Sequence, residues 1–114
     1  MSPKKRSRAQ QIASNQRTRK WRAKQPPGRL REIARRCALK TRYGLTIKDF
    51  EFLRRITGGI CPLCRTRPAK VVDHDHSTGK VRGVLCHGCN ASLGHFLDDP
   101  TILRRAALYL EMFQ

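Results

Sequence analysis

The spacing of apolar positions changes along this chain, and the change marks out its parts. From Gly28 onward, Leu30, Ile33, Ala34, Cys37 and Ala38 recur at i, i+3, i+4, i+7 and i+8, one apolar stripe of a helix. Arg31, Arg35 and Arg42 lie off that stripe, and Gly44 stands where such a helix ends. Thr46-Ile47-Lys48-Asp49 marks a second helix start, in which the Thr46 hydroxyl caps and Asp49 sits in the first turn. Phe50, Leu53 and Ile56 follow at helical spacing, and Gly58-Gly59 closes the element. The pattern then shortens. Val71-Val72 and Val81 to Leu85 read as strands, and Ser77-Thr78-Gly79 is turn chemistry between them, so a β-hairpin is expected. A helix is expected from about Asn90 to Leu97. Asp99 caps a last helix with Pro100 at its first position and Ile102, Leu103, Ala106, Ala107 and Leu110 on its buried face.

Residues 1–27 lack this periodicity. They are polar and basic and end in the break Pro26-Pro27-Gly28, the composition of an arm that is flexible or becomes helical on binding. Trp21 is the one large aromatic there, suited either to stacking on a base or to anchoring the arm. The chain thus divides into a basic arm (1–27), two helices leading inward (28–58) and a hairpin-and-helix core (59–114). The fold class is α+β and mostly helical. At 114 residues the core is small enough that an added staple is expected.

Charge identifies the partner class. Twenty-five Lys and Arg face eight Asp and Glu, for a net +17, and the excess is lopsided. Residues 1–42 hold 15 basic side chains and one acid, Glu32, whereas residues 61–114 hold seven basic and five acidic. A dense positive segment beside a nearly neutral one is the footprint of a polyanion binder, with nucleic acid ahead of an anionic membrane, because the basic stretch has few large apolar residues to insert. No apolar run is long enough to span a membrane and no secretory signal is seen, so a reducing, cytoplasmic location is expected. Lys4-Lys5-Arg6 is a weak nuclear address.

In a reducing compartment cysteines are more often metal ligands than disulfides. Cys61 and Cys64 form one Cys-x-x-Cys and Cys86 and Cys89 another, with 21 residues between the pairs. This is the spacing of a structural four-thiolate zinc site, which stitches the two feet of the hairpin together. Such a site has no open coordination position and does no chemistry itself. Cys37, on the apolar stripe, is expected to be a buried small hydrophobe.

The chemistry lies inside the zinc loop, in Asp73-His74-Asp75-His76. On a strand, 73 and 75 share one face and 74 and 76 the other, so Asp73 can hold a hard cation while His74 faces a substrate. Mg²⁺ suits oxygen ligands, and Mn²⁺ is a ready substitute. Asn90, directly after Cys89 and opening a helix expected to cross the hairpin, supplies a second oxygen ligand. The reading that follows is phosphodiester hydrolysis: Mg²⁺ on Asp73 and Asn90 neutralises charge at the phosphate and leaving oxygen, and His74 takes a proton from the attacking water. His74 then needs an orienting acceptor, which the residues do not identify. Alternative readings stand beside this one: the four residues form a second zinc site, His76 donates to a phosphate or a carbonyl, and Asp75 is a solvated turn residue. His87 and His95 read as structural or surface residues. Lys80 and Arg82 either bind phosphate or form an ordinary charged strand face.

From Tyr43-Gly44-Leu45-Thr46 through CPLC, VVDHDHSTGKVRGVLCHGCN and Leu93-Gly94 to the helix ending in Leu108-Tyr109-Leu110, the chain resembles the phage recombination endonuclease VII family of His-Me finger (HNH, ββα-metal) nucleases. The resemblance covers about residues 42–112. It implies a zinc-stapled ββα-metal core with flanking helices, zinc on the four cysteines, magnesium on Asp73 and Asn90, His74 as general base and His76 assisting at the phosphate. The best-known member of that family resolves branched DNA such as four-way junctions as a dimer, so a structure-selective endonuclease acting on duplex or branched DNA, and a homodimer, are implied. Two other functions compete: a non-catalytic zinc-bound nucleic-acid-binding module, and a homing- or packaging-type HNH nicking enzyme.

Overall fold

The computed structural model describes residues 3–114; Met1 and Ser2, the start of the basic arm, lie outside the described residues. It is α+β and mostly helical, and divides into two units, residues 1–38 and 39–114.

The first unit contains α1 (Arg8–Ala23) and the greater part of α2 (Arg29–Tyr43). The arm is helical here because Ser7 and Gln10 form a capping box, each side chain bonding the other's backbone amide. No described residue of α1 is buried. Cys37 is exposed, a correction to the buried position expected of it, and Leu30 is 40% exposed. Of the apolar stripe of α2, Ile33 is half-buried and the other four positions are exposed; the one buried residue of the helix, Leu39, lies beside the stripe.

The second unit holds the core. Leu39, Phe50, Ala69, Val72 and Val84 are buried together, with Tyr43, Leu45, Ile47, Leu53 and Val81 packed around them. Helix α3 (Ile47–Ile56) starts at a capping box, Thr46 Oγ1 accepting from the Asp49 amide and Asp49 from the Thr46 amide. Gly58 and Gly59 follow it in the left-handed region that glycine adopts without penalty. The hairpin forms as expected, β1 (Val71–His74) pairing antiparallel with β2 (Val81–Leu85) in the register Val71↔Leu85, Val72↔Val84, Asp73↔Gly83. The next pair is His74↔Val81, so Arg82 is an extra residue on β2, a β-bulge.

Two expectations are corrected by this geometry. The strand ends at His74 and the bulge interrupts its alternation, so Asp75 and His76 belong to the turn rather than to alternating faces. Helix α4 begins at His87, not near Asn90, and runs to His95. Its N-cap is Cys86, whose sulfur accepts from the Cys89 amide, which places Asn90 at the end of the first turn with its amide bonded to the Cys86 carbonyl. The chain leaves α4 through a Schellman turn: Asp98 N–H donates to Leu93 and Leu97 N–H to Gly94, with both Leu97 and Asp98 at positive φ. Helix α5 (Pro100–Glu111) is capped by Asp99 as expected. Its expected buried face is only partly covered. Ile102, Leu103 and Ala106 are half-buried, while Ala107 and Leu110 are exposed.

Candidate functional site

The four paired cysteines converge. Their sulfurs all lie within 4.8 Å of one another, and Cys64 Sγ is 3.9 Å from Cys86 Sγ. Four sulfurs about 2.3 Å from one ion at tetrahedral angles are about 3.8 Å apart, so the cluster is sized for a single closed site. Cys61 and Cys64 sit on a tight turn in which Arg65 N–H donates to the Cys61 carbonyl and Cys61 N–H to Arg67, with Arg65 at positive φ. Cys86 directly follows β2 as the N-cap of α4, and Cys89 lies in the first turn of that helix. The cluster is a small core of its own with Leu85 and Leu93. The Thr66 hydroxyl and nearby amides bring the Cys64 thiol down to about 5, whereas the bond to Cys86 and burial push Cys89 up to about 12. Thiols so close together repel one another once ionised, and a shared cation removes that conflict. Among the described residues this is the one group of His, Cys, Asp and Glu placed to hold a metal in common, so the second zinc site considered for Asp-His-Asp-His does not form as such a group.

The Asp73-His74-Asp75-His76 side chains lie at the end of β1 and in the hairpin turn that follows it. Asp73 is buried and clamped by Arg82, whose Nε donates to Oδ2 at 2.8 Å and whose Nη2 donates to Oδ1 at 2.7 Å. The bulge is what turns Arg82 toward Asp73, the neighbouring column of the ladder. This pairing raises the guanidinium well above its ordinary range. His74, half-buried, has its ring 5.3 Å from Tyr43 and 4.6 Å from His76. His76 is exposed, and its Nδ1 lies 2.9 Å from Asp98 Oδ2. Asp98 is mostly covered, and the hydrogen bond from His76, followed by the charge of Arg82, lowers its carboxyl. Its other oxygen is buried without a hydrogen-bond partner, 3.4 Å from Arg82 Nη2.

Asp75 lies in the turn, half-buried, and is bonded within it. Its Oδ1 accepts from the Ser77 hydroxyl and from the Ser77 and Thr78 amides, which brings it down to about 2. Asn90 is half-buried on α4, which packs against β1, the strand bearing Asp73. His87, His95 and Lys80 are exposed. Two participants had not been given their place from sequence, Tyr43 and Asp98. The available signal for Asp98 is the doubled acid Asp98-Asp99 before Pro100, of which a helix cap needs only one.

As a donor set, a carboxylate and an amide oxygen are hard ligands that fit Mg²⁺ better than a soft metal. Each Asp73 oxygen keeps a lone pair beyond the one facing Arg82, and the uncommitted Asp98 oxygen offers the guanidinium a second carboxylate.

The model of the family described as recombination endonuclease VII matches residues 36–112, a span that includes all four clustered cysteines and every side chain of the turn. The "Gene 59 protein" of Mycobacterium phage D29 is 41% identical over 73 residues, covering 60% of this chain and 44% of that protein. The "Gene 59 protein" of Mycobacterium phage L5 is 40% identical over the same length with the same coverage. The matched stretch thus spans less than half of the length of these relatives. No solved structure matches.

Proposed function

Because this chain belongs to the recombination endonuclease VII family, we propose that it is a metal-dependent DNA endonuclease whose reactive groups are those of the hairpin turn. The observation that carries the reading is the meeting of two imidazoles, 4.6 Å apart, beside a buried carboxylate within the family-matched segment. Polyanion binding alone requires no such cluster. The core is read as a ββα-metal, His-Me finger arrangement in which β1, β2 and α4 are the three elements.

In this reading the four cysteines hold a structural Zn²⁺, and Asp73 and Asn90 hold Mg²⁺, with Mn²⁺ as a substitute. The bound Mg²⁺ supplies charge neutralisation at the scissile phosphate and leaving oxygen. His74 accepts the proton of the attacking water, and its packing against Tyr43 limits the orientations of its ring. His76 contacts the phosphate. Arg82 holds Asp73 in one rotamer and shares its charge with Asp98. The basic arm, residues 1–27, contacts phosphates along the DNA without choosing sequence, with α1 as its helical part. A preference for branched or four-way DNA, a homodimer and a host-cytoplasmic location extend the same family reading. Among the described residues no helix is long and apolar enough to cross a membrane.

One observation favours the rival reading of a non-catalytic DNA-binding module: both Asp73 oxygens already have a partner in Arg82. Supercoiled plasmid incubated with and without Mg²⁺ separates the two, since only a nuclease yields nicked or linear DNA. The roles are then assigned by single-turnover cleavage across a Mg²⁺ titration. His74→Ala should lose about 10²–10⁴-fold in rate without rescue by Mg²⁺, whereas Asp73→Ala and Asn90→Ala should be partly rescued. A His74→Ala variant that cuts at the wild-type rate overturns the assignment of the base. Matched linear, nicked, flapped and four-way substrates report the DNA form, and a nicking-only product favours the homing- or packaging-type activity.

A further inference from the structure

His76 is an exposed side chain on a turn, and its ring meets the His74 ring at 4.6 Å, a contact that does not distinguish its two nitrogens. A free imidazole in that position interconverts between two tautomers and two ring orientations, so either nitrogen can face a substrate. Asp98 removes that freedom. Its Oδ2 lies 2.9 Å from His76 Nδ1, and a carboxylate only accepts, so Nδ1 must carry the proton. Asp98 is itself the more firmly held partner. Its side chain is 19% exposed against 68% for His76. Its amide is fixed to the Leu93 carbonyl by the Schellman turn, and its second oxygen faces Arg82, which is in turn bonded to Asp73. The backbone there is at φ 53°, a conformation that Asp and Asn tolerate and most side chains resist. The turn after α4 thus holds a carboxylate against an imidazole 22 residues earlier in sequence.

We propose that Asp98 is a positioning residue that fixes His76 in its Nδ1–H form and leaves Nε2 as the nitrogen that meets the substrate phosphate. The proposal rests on the nuclease reading for its consequence in rate, but not for the tautomer. A carboxylate behind a working imidazole sets which nitrogen does the work, and behind metal-ligating histidines the loss of such a partner costs about 10–100-fold in affinity or activity, the scale taken for His76. His74, although read as the base, has a ring contact rather than a carboxylate behind it, so the orienting device belongs to the second histidine.

The test uses full-length, zinc-loaded protein labelled with ¹⁵N. Long-range ¹H–¹⁵N correlations of His76 should show a protonated Nδ1 in the wild type and in Asp98→Asn, whose amide oxygen still accepts. In Asp98→Gly, which keeps the backbone conformation without the acceptor, the pattern should change to the Nε2–H form or an average. Single-turnover cleavage by Asp98→Gly should fall about tenfold with an unchanged half-saturating DNA concentration, and Asp98→Asn should recover most of that loss. In a His76→Ala background, Asp98→Gly should cost nothing further. The proposal is overturned if wild-type His76 carries its proton on Nε2, or if Asp98→Gly slows cleavage as much when His76 is absent. If the wild type cuts no DNA at any Mg²⁺ concentration, the nuclease reading fails, and the tautomer measurement still decides whether Asp98 orients His76.

Discussion

The Arg82–Asp73 clamp makes a quantitative claim about stability. Asp73 has a side chain only 8% exposed and receives two charge-assisted hydrogen bonds, whereas Arg82 is 35% exposed. Removing one partner of a fully buried pair typically costs about 3–5 kcal/mol, because the remaining charge is stranded. An exposed pair is worth about 0–1 kcal/mol. With a buried carboxylate and a guanidinium one-third in solvent, Arg82→Ala should cost about 2 kcal/mol. For a unit of this size that lowers the melting temperature by about 8–16 °C. The cost should be specific to charge, so in an Asp73→Asn background, which leaves only the more distant Asp98 carboxylate facing Arg82, Arg82→Ala should cost about 0.5 kcal/mol, giving a coupling of about 1.5 kcal/mol. Thermal unfolding of the four zinc-loaded proteins in metal-free buffer measures both. Added Mg²⁺ should then stabilise Arg82→Ala more than the wild type, since the cation no longer shares Asp73 with a guanidinium. Equal cost of Arg82→Ala in both backgrounds refutes the claim that Arg82 serves to neutralise Asp73.

The remaining predictions concern the parts around the site. Purified protein should contain about one zinc per chain by metal analysis, and Cys86→Ser, which removes one of the four clustered sulfurs while leaving a hydroxyl able to cap α4, should lose the metal and the hairpin's chemical-shift dispersion together; a folded, active Cys86→Ser protein contradicts this. Deleting residues 1–27 removes nine Lys and Arg, so DNA binding should weaken and its salt dependence become shallower, read from affinities at several ionic strengths. Asp75 has its carboxyl held at about 2 by the turn, first by the Ser77 hydroxyl, against about 3.9 in an unfolded chain. Its contribution is therefore present above about pH 4 and is lost as pH falls through about 2, and the stability difference between wild type and Asp75→Ala, from melts across that window, should shrink accordingly.

What could be read from the sequence was whatever depends on neighbours along the chain. The two Cys-x-x-Cys pairs, the Thr46–Asp49 capping box, the Asp99-Pro100 helix start and the hairpin about Ser77-Thr78-Gly79 all formed where expected, because each is decided within a few residues. The start of α4 was misplaced because a cysteine sulfur does the capping, and cysteine is not among the usual cap residues. Burial of Cys37 failed for a different reason: a helical stripe says that a face is apolar, not that anything covers it. The same holds for Leu110 on α5, which is 63% exposed. Arg82 could be seen as a charged strand residue but not as a clamp, since a bulge is a property of how two strands pair rather than of either one. Asp98 depends on a turn that brings two segments together, so no spacing rule connects it to His76.

The charges at the turn also bear on why the proposed reaction needs a cation. The chain carries a net charge of +17 concentrated in residues 1–42, which in the proposed function draws a DNA strand toward that basic segment. At the turn, however, the sign is reversed. Asp73 and Asp98 share one guanidinium, so the cluster carries an excess negative charge, and Asp75, ionised down to about pH 2, stands next to it. A phosphodiester approaching His74 and His76 meets repulsion from these carboxylates at short range, where screening by solvent is weakest. With a divalent cation bound at Asp73 the local sum becomes positive or neutral, and the same carboxylates then serve to hold charge that stabilises the phosphate. DNA binding and cleavage should therefore separate: affinity follows the basic arm and salt, whereas the rate follows the occupancy of a site whose own charge keeps phosphate out until the cation is present.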